Sequence, residues 1–142
     1  MRLRTAITLT ATALNALPAH AAGPNMKPGL WEITVTVHLP AGAGLPHTLQ
    51  QCFSNEDIAK LRGAPGPTRL DRPCQINDYR IEGDTATWKM ACTGPTGMSG
   101  GGIIAYHGTS YSGRITLTVD YGGRPQTMTT VYRGKYLGTC TQ

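Results

Sequence analysis

Three histidines, His38, His47 and His107, and eight carboxylates, Glu32, Glu56, Asp57, Asp71, Asp78, Glu82, Asp84 and Asp120, are the groups beyond residue 21 that could move a proton. A histidine beside a carboxylate would serve a hydrolase as general base. No nucleophile elbow, H-E-x-x-H helix or Walker loop organises them. The carboxylates fall in turns, at a helix start or on polar strand faces, and the histidines lie near strand ends. We read them as solvated edge or loop residues, and the chain as no enzyme; the hydrolase reading stays as the rival class. Gly100-Gly101-Gly102 could cradle a phosphate only if a helix followed it. Ile103-Ile104-Ala105-Tyr106 follows instead, which is strand, so the glycines are read as a bend or a close backbone approach. Met90, Met98 and Met128 could suit a soft metal, but lone methionines in strands are ordinary core filler. No metal and no cofactor is expected.

Cys52, Cys74, Cys92 and Cys140 are spaced by 22, 18 and 48 residues, which gives none of the close pairs a metal site or haem attachment wants. Two disulfides are the natural reading. The aromatics are the other conspicuous set. Trp31 and Trp88 sit on the apolar faces of their strands. Packed together they are core; opened into a barrel mouth with Tyr111 they would line a site for a small apolar ligand.

These residues need a frame. The sequence has 142 residues, 15% charged, with 18 glycines and 10 prolines. That composition excludes a coiled coil and a disordered polyelectrolyte. Arg2 and Arg4 precede an uncharged, moderately apolar run from Thr5 to Leu17, and Pro18 and Ala19-His20-Ala21 follow. Basic start, apolar run and small-x-small end read as a signal peptide over 1–21, which leaves residues 22–142 as one exported β domain. Loss of Arg2 and Arg4 would lower the formal charge from +5 to +3. The remaining bases are scattered along the chain, so no nucleic-acid stripe is expected. No later stretch reaches the roughly 20 apolar residues of a membrane helix, and the strands carry Thr, Glu, Lys and Arg where a membrane barrel would be apolar. No integral membrane segment is expected in the exported domain.

Leu30 to Leu39 alternates, with Trp31, Ile33, Val35 and Val37 on one side, as a half-buried strand does. His47–Cys52 is a second strand. Ser54 with Glu56 and Asp57 starts a short helix. Gly63 to Pro73 is a loop. From Cys74 the pattern is β throughout: Cys74–Ile81, Thr85–Cys92, Met98–His107, Tyr111–Tyr121 and Gln126–Leu137, with turn residues between. This predicts an all-β antiparallel meander of about seven to eight strands, a small barrel or sandwich, with one short helix in the crossover after strand two.

The meander selects disulfides. If the barrel closes antiparallel, Cys74 and Cys92 meet at one end and Cys52 and Cys140 at the other, whereas Cys92–Cys140 would have to span a strand. Bridged Cα atoms lie within about 7 Å. One detail conflicts: a two-residue turn at Gly83-Asp84 sets Tyr79 opposite Trp88 and Ile81 opposite Ala86, and so puts Gln75, not Cys74, opposite Cys92.

Several short motifs occur in a characteristic order. Lys27-Pro28-Gly29-Leu30-Trp31-Glu32 opens a strand, Gln51-Cys52 precedes an acidic helix, and Trp88-Lys89-Met90-x-Cys92 follows. Met98-x-Gly100, Tyr111-x-Gly113 and Leu137-Gly138-x-Cys140 complete the set. In these, over about residues 26 to 141, the chain resembles the bacterial family called domain of unknown function 3617. The Ala41-Gly42-Ala43-Gly44 loop departs from it, since members often carry Met and Pro there. The resemblance implies a small exported, periplasmic β-protein and supplies no activity. The functional expectation is a non-catalytic binding protein with a small apolar ligand in a barrel interior between Trp31, Trp88 and Tyr111. The alternative is a protein-binding module or envelope-hydrolase inhibitor that acts through its surface.

Overall fold

A computed structural model describes residues 24–63, 74–94 and 97–141. The expected signal peptide, and most of the expected loop before Cys74, lie outside the described residues.

The strands are β1 (Gly29–Leu39), β2 (Gly42–Ala43), β3 (His47–Phe53), β4 (Cys74–Glu82), β5 (Thr85–Cys92), β6 (Met98–Tyr106), β7 (Ser110–Tyr121) and β8 (Arg124–Gly138), with helix α1 (Asn55–Lys60) after β3. All pair antiparallel in one sheet of order β2-β1-β8-β7-β6-β5-β4, and β3 joins β1 on the same side as β2. The all-β meander and the helix after the His47–Phe53 strand are as the sequence predicts. The sheet does not close, because β3 and β4 do not pair.

It is nevertheless strongly rolled. One core cluster joins Trp31 and Ile33 of β1 to Ala86 of β5, Tyr106 of β6 and Ile58 of α1, so elements far apart in the sheet meet over one concave face. A second cluster, Met90, Cys92 and Leu117, fills the other end. Such curvature needs thin places. Trp88, Ile104 and Tyr111 each face a glycine on the next strand, Gly102, Gly113 and Gly134 respectively. A Cβ at any of these would collide with the side chain lying over it. The glycine run is thus the bed for a tryptophan.

Helix α1 is fixed at its start by a capping box. The Asp57 amide donates to Ser54 Oγ (3.1 Å) and the Ser54 amide donates to the Asp57 carboxylate (3.0 Å). The Ser54 hydroxyl also donates to the Asp57 carboxylate (2.7 Å), and this bond first, with the one from the Ser54 amide, holds the Asp57 carboxyl below its usual range. Ile58 is buried against the sheet, and the Tyr79 hydroxyl donates to the Leu61 carbonyl, tying α1 to β4. The segment before β1 is stitched to the β6–β7 turn: Lys27 N–H donates to Gly108 O (2.9 Å) and Gly108 N–H to Asn25 O (2.8 Å).

The disulfides are Cys52–Cys140 and Cys74–Cys92, with Cα separations of 5.8 and 3.9 Å. The first forms without barrel closure. β3 and β8 flank β1 on its two sides, both antiparallel to it, so both end at the same end, with Cys52 and Gly138 each opposite Leu30. The second requires a correction to the simple hairpin. The register follows the turn as far as Arg80↔Thr87 and then slips, giving Asn77↔Lys89 and Cys74↔Cys92. Asp78 and Tyr79 together face Trp88, and Asp78 takes φ +53°. This β-bulge moves the inward-facing positions from odd (Tyr79, Ile81) to even (Cys74, Ile76).

Candidate interaction surfaces

Trp31, Trp88 and Tyr111 all turn into the concave face. Trp31 is fully buried, its ring 5.5 Å from that of Tyr111 and 5.8 Å from that of Tyr136, and its Nε1 donates to Lys27 O (2.9 Å). Tyr106 packs on Tyr111 at 6.1 Å. Trp88 lies farther along the face, 6.3 Å from Tyr79. Trp31 and Tyr111 are therefore in one aromatic cluster and Trp88 is in its continuation. The buried Trp88 Nε1 finds no acceptor among the described residues. Burial holds the Tyr111 hydroxyl protonated up to about 12, with the neighbouring Tyr132 adding to the shift, and raises Tyr106 further.

Two open grooves lie at the ends of the sheet. One, of about 600 Å³, runs between Pro24–Met26, α1 and the Gly83-Asp84 turn, with Asn25 Nδ2 donating to Asp84 at 3.2 Å. The other, of about 380 Å³, is bounded by Ala91, Met98, Thr118 and Pro125. Neither is lined by Trp31, Trp88 or Tyr111.

The three histidines are exposed, and among the described residues none bonds to a carboxylate through its side chain. No group of three His, Cys, Asp or Glu gathers as a metal site among the described residues. Gly97-Met98-Ser99-Gly100-Gly101 has the G-x-S-x-G form, but Ser99 stands within β6 between Ala91 and Thr118, with strand and no helix after it. It lacks the strand–turn–helix that exposes a nucleophile.

The two ends of the rolled sheet differ sharply. The β4 edge carries a bulge, the Lys89–Asp78 ion pair (3.2 Å) and the Arg80–Glu82 pair (3.6 Å). Charge and bulges are how natural sheets blunt an edge. β3 has none of these. His47-Thr48-Leu49-Gln50-Gln51-Cys52-Phe53 holds unbroken register with β1 and includes no Lys, Arg, Asp or Glu. No described strand pairs with its far side. Leu39, Leu45 and Leu49 are exposed along this border, Leu45 at 94%. Seven strands alternate in direction from β3 to β4, so β3 and β4 run the same way, and one strand antiparallel to both would complete the roll. Sequence patterning could not show this, because the direction of each border follows only from the full pairing order.

A disulfide-linked, singly layered all-β domain with one unguarded border is thus the class of structure present. Residues 26–140 match the family described as protein of unknown function DUF3617, and the chain belongs to that family. No curated protein and no solved structure matches the chain. No described helix is long and apolar enough to cross a membrane.

Proposed function

We propose that this is an exported, periplasmic, non-catalytic binding protein that acts through its surface and takes an extended segment of an envelope protein along the free border of β3. The unguarded β3 strand carries this reading: among the described residues no strand pairs with its far side, and strand addition uses such free backbone donors and acceptors for affinity and alternate side-chain positions for specificity. Inward alternate positions His47, Leu49, Gln51 and Phe53 continue the concave face, as their pairing with Val35, Ile33, Trp31 and Gly29 requires.

The test is a native, non-reducing mass spectrum of the protein recovered from its own cell envelope. A polypeptide bound to wild type but lost from a Leu45→Lys, Gln50→Lys variant supports the reading. A reproducible small-molecule adduct would instead favour a carrier with its ligand between Trp31, Trp88 and Tyr111. A bare monomer in wild type would overturn strand addition. The same spectrum reads the export step, since cleavage after Ala21 leaves residues 22–142.

A further inference from the structure

Positive side chains are treated differently in different parts of this molecule. Lys60 pairs with Glu56 at 3.0 Å, Arg80 with Glu82 and Lys89 with Asp78, while Lys27 lies 4.8 Å over the Tyr136 ring. Arg114, Arg133 and Lys135 have no ion pair among the described residues, and all three are exposed.

The register gathers these three. On β7 the buried Leu117 faces inward, so Arg114 faces outward; on β8 the buried Thr130 and Gly134 face inward, so Arg133 and Lys135 face outward. Arg114 stands opposite Val131, and Arg133 is the next outward residue on that strand, with Lys135 following it. Diagonal and same-face neighbours in a sheet are about 7–8 Å apart, so the three cations form one contiguous patch on the convex face. They are scattered in the sequence at 114, 133 and 135, and the hairpin brings them together.

Their surroundings are neutral or apolar with one exception. Ser112 faces Arg133 and Ser110 faces Lys135 on β7; Thr34 faces Arg133 on β1. Glu32 stands opposite Lys135 and is the one carboxylate directly across from any of the three. The exposed Ile103 pairs with Arg114 on β6, and the exposed Leu137 is the next outward residue after Lys135. The patch therefore has net positive charge and carries an apolar side chain at each end.

We propose that this convex β6–β7–β8 face docks on a phosphate-bearing lipid leaflet. Arg114, Arg133 and Lys135 meet the headgroup phosphates, and Ile103 and Leu137 enter the interface between headgroup and acyl chain. Charge complementarity selects an anionic surface, and the apolar pair distinguishes a leaflet from a soluble polyanion, which would leave both side chains in water. This goes beyond strand addition and uses a different part of the molecule, so either can fail alone.

Sedimentation of the purified protein with phosphatidylcholine vesicles, and with vesicles that also contain phosphatidylglycerol, tests it. Binding should require phosphatidylglycerol and fall at high salt. At about 1 kcal/mol for each cation near an anionic surface, each of Arg114→Gln, Arg133→Gln and Lys135→Gln should weaken binding about fivefold, and the triple variant about a hundredfold. Arg62→Gln, away from this face, should bind as wild type. Arg114, Arg133 and Lys135 are exposed, so circular dichroism of their variants should be unchanged. Lack of binding to either vesicle, equal binding to both, or a triple variant that binds like wild type would each overturn the proposal. Poly-glutamate capture without vesicle binding would also overturn it and redirect the patch to a soluble acidic partner.

Discussion

The indole of Trp88 lies on the α-carbon of Gly102, its direct cross-strand partner on β6. The ring occupies the volume a Cβ at Gly102 would need, so the two positions form one packing unit. Trp88 is also hemmed in by Tyr79 and by the bulge at Asp78. Gly102→Ala is expected to destabilise the domain by about 1–3 kcal/mol through overpacking. Ser99→Ala, at an exposed outward position on the same strand, should cost far less. Denaturant midpoints of the two variants check this.

Trp31 and Trp88 are both buried but differ in one atom's circumstances. Trp31 Nε1 reaches Lys27 O, whereas Trp88 Nε1 has no acceptor among the described residues. A buried polar group left unpaired costs about 1–3 kcal/mol. Trp→Phe removes volume at both sites, but at Trp88 it also removes that unpaired donor, and at Trp31 it leaves the Lys27 carbonyl without its partner. Trp31→Phe is therefore expected to be the more destabilising of the two. Equal losses in urea unfolding would mean that the Trp88 donor is satisfied in solution.

Cys74 reaches Cys92 because Asp78 adds one residue to β4. Asp tolerates the left-handed backbone better than most residues, and its carboxylate is held by Lys89 at 3.2 Å. Asp78→Val, a β-branched residue strained at φ +53°, should push β4 toward the simple hairpin register, in which Gln75 and not Cys74 faces Cys92, and so weaken the Cys74–Cys92 bond while Cys52–Cys140 persists. Non-reducing peptide mapping reads both bonds. Asp78→Gly should keep both, since glycine takes the same φ without strain.

That bulge marks the limit of what the sequence could tell. Alternation in β1 and β7, the Gly83-Asp84 turn and the Ser54 cap are local signals, and each element formed where its own residues placed it. Tyr79 and Ile81 also disclosed the hairpin register near the turn, and the conflict at Gln75 showed that something had to slip. Where it slipped was not legible, because Asp78 in a strand looks like any outward polar residue. The disulfide partners were legible from strand direction alone, since end-to-end placement survives whether or not the sheet closes. The open border was not, because the alternation within β3 is the same for an edge strand as for a paired one. The Arg114–Arg133–Lys135 patch needed the β7–β8 register, which no window along the chain contains.

Alkaline titration tests the aromatic cluster as a unit. Burial raises the Tyr111 hydroxyl from 10.0 to about 12, and Tyr106 still further. Burial also raises Tyr79 and Tyr132. In the unfolded chain these phenols titrate near 10. The folded state thus binds their protons more tightly than the unfolded state does. Their contribution to stability is complete below pH 10 and is lost as pH rises through about 12. Unfolding midpoints should hold steady up to pH 10 and then fall steeply. Phenolate absorbance should show Tyr106 and Tyr111 ionising together with loss of the fold, as one cooperative step. Smooth, independent titration of Tyr79, Tyr106, Tyr111 and Tyr132 near 10, with the fold intact, would mean that the concave face admits water.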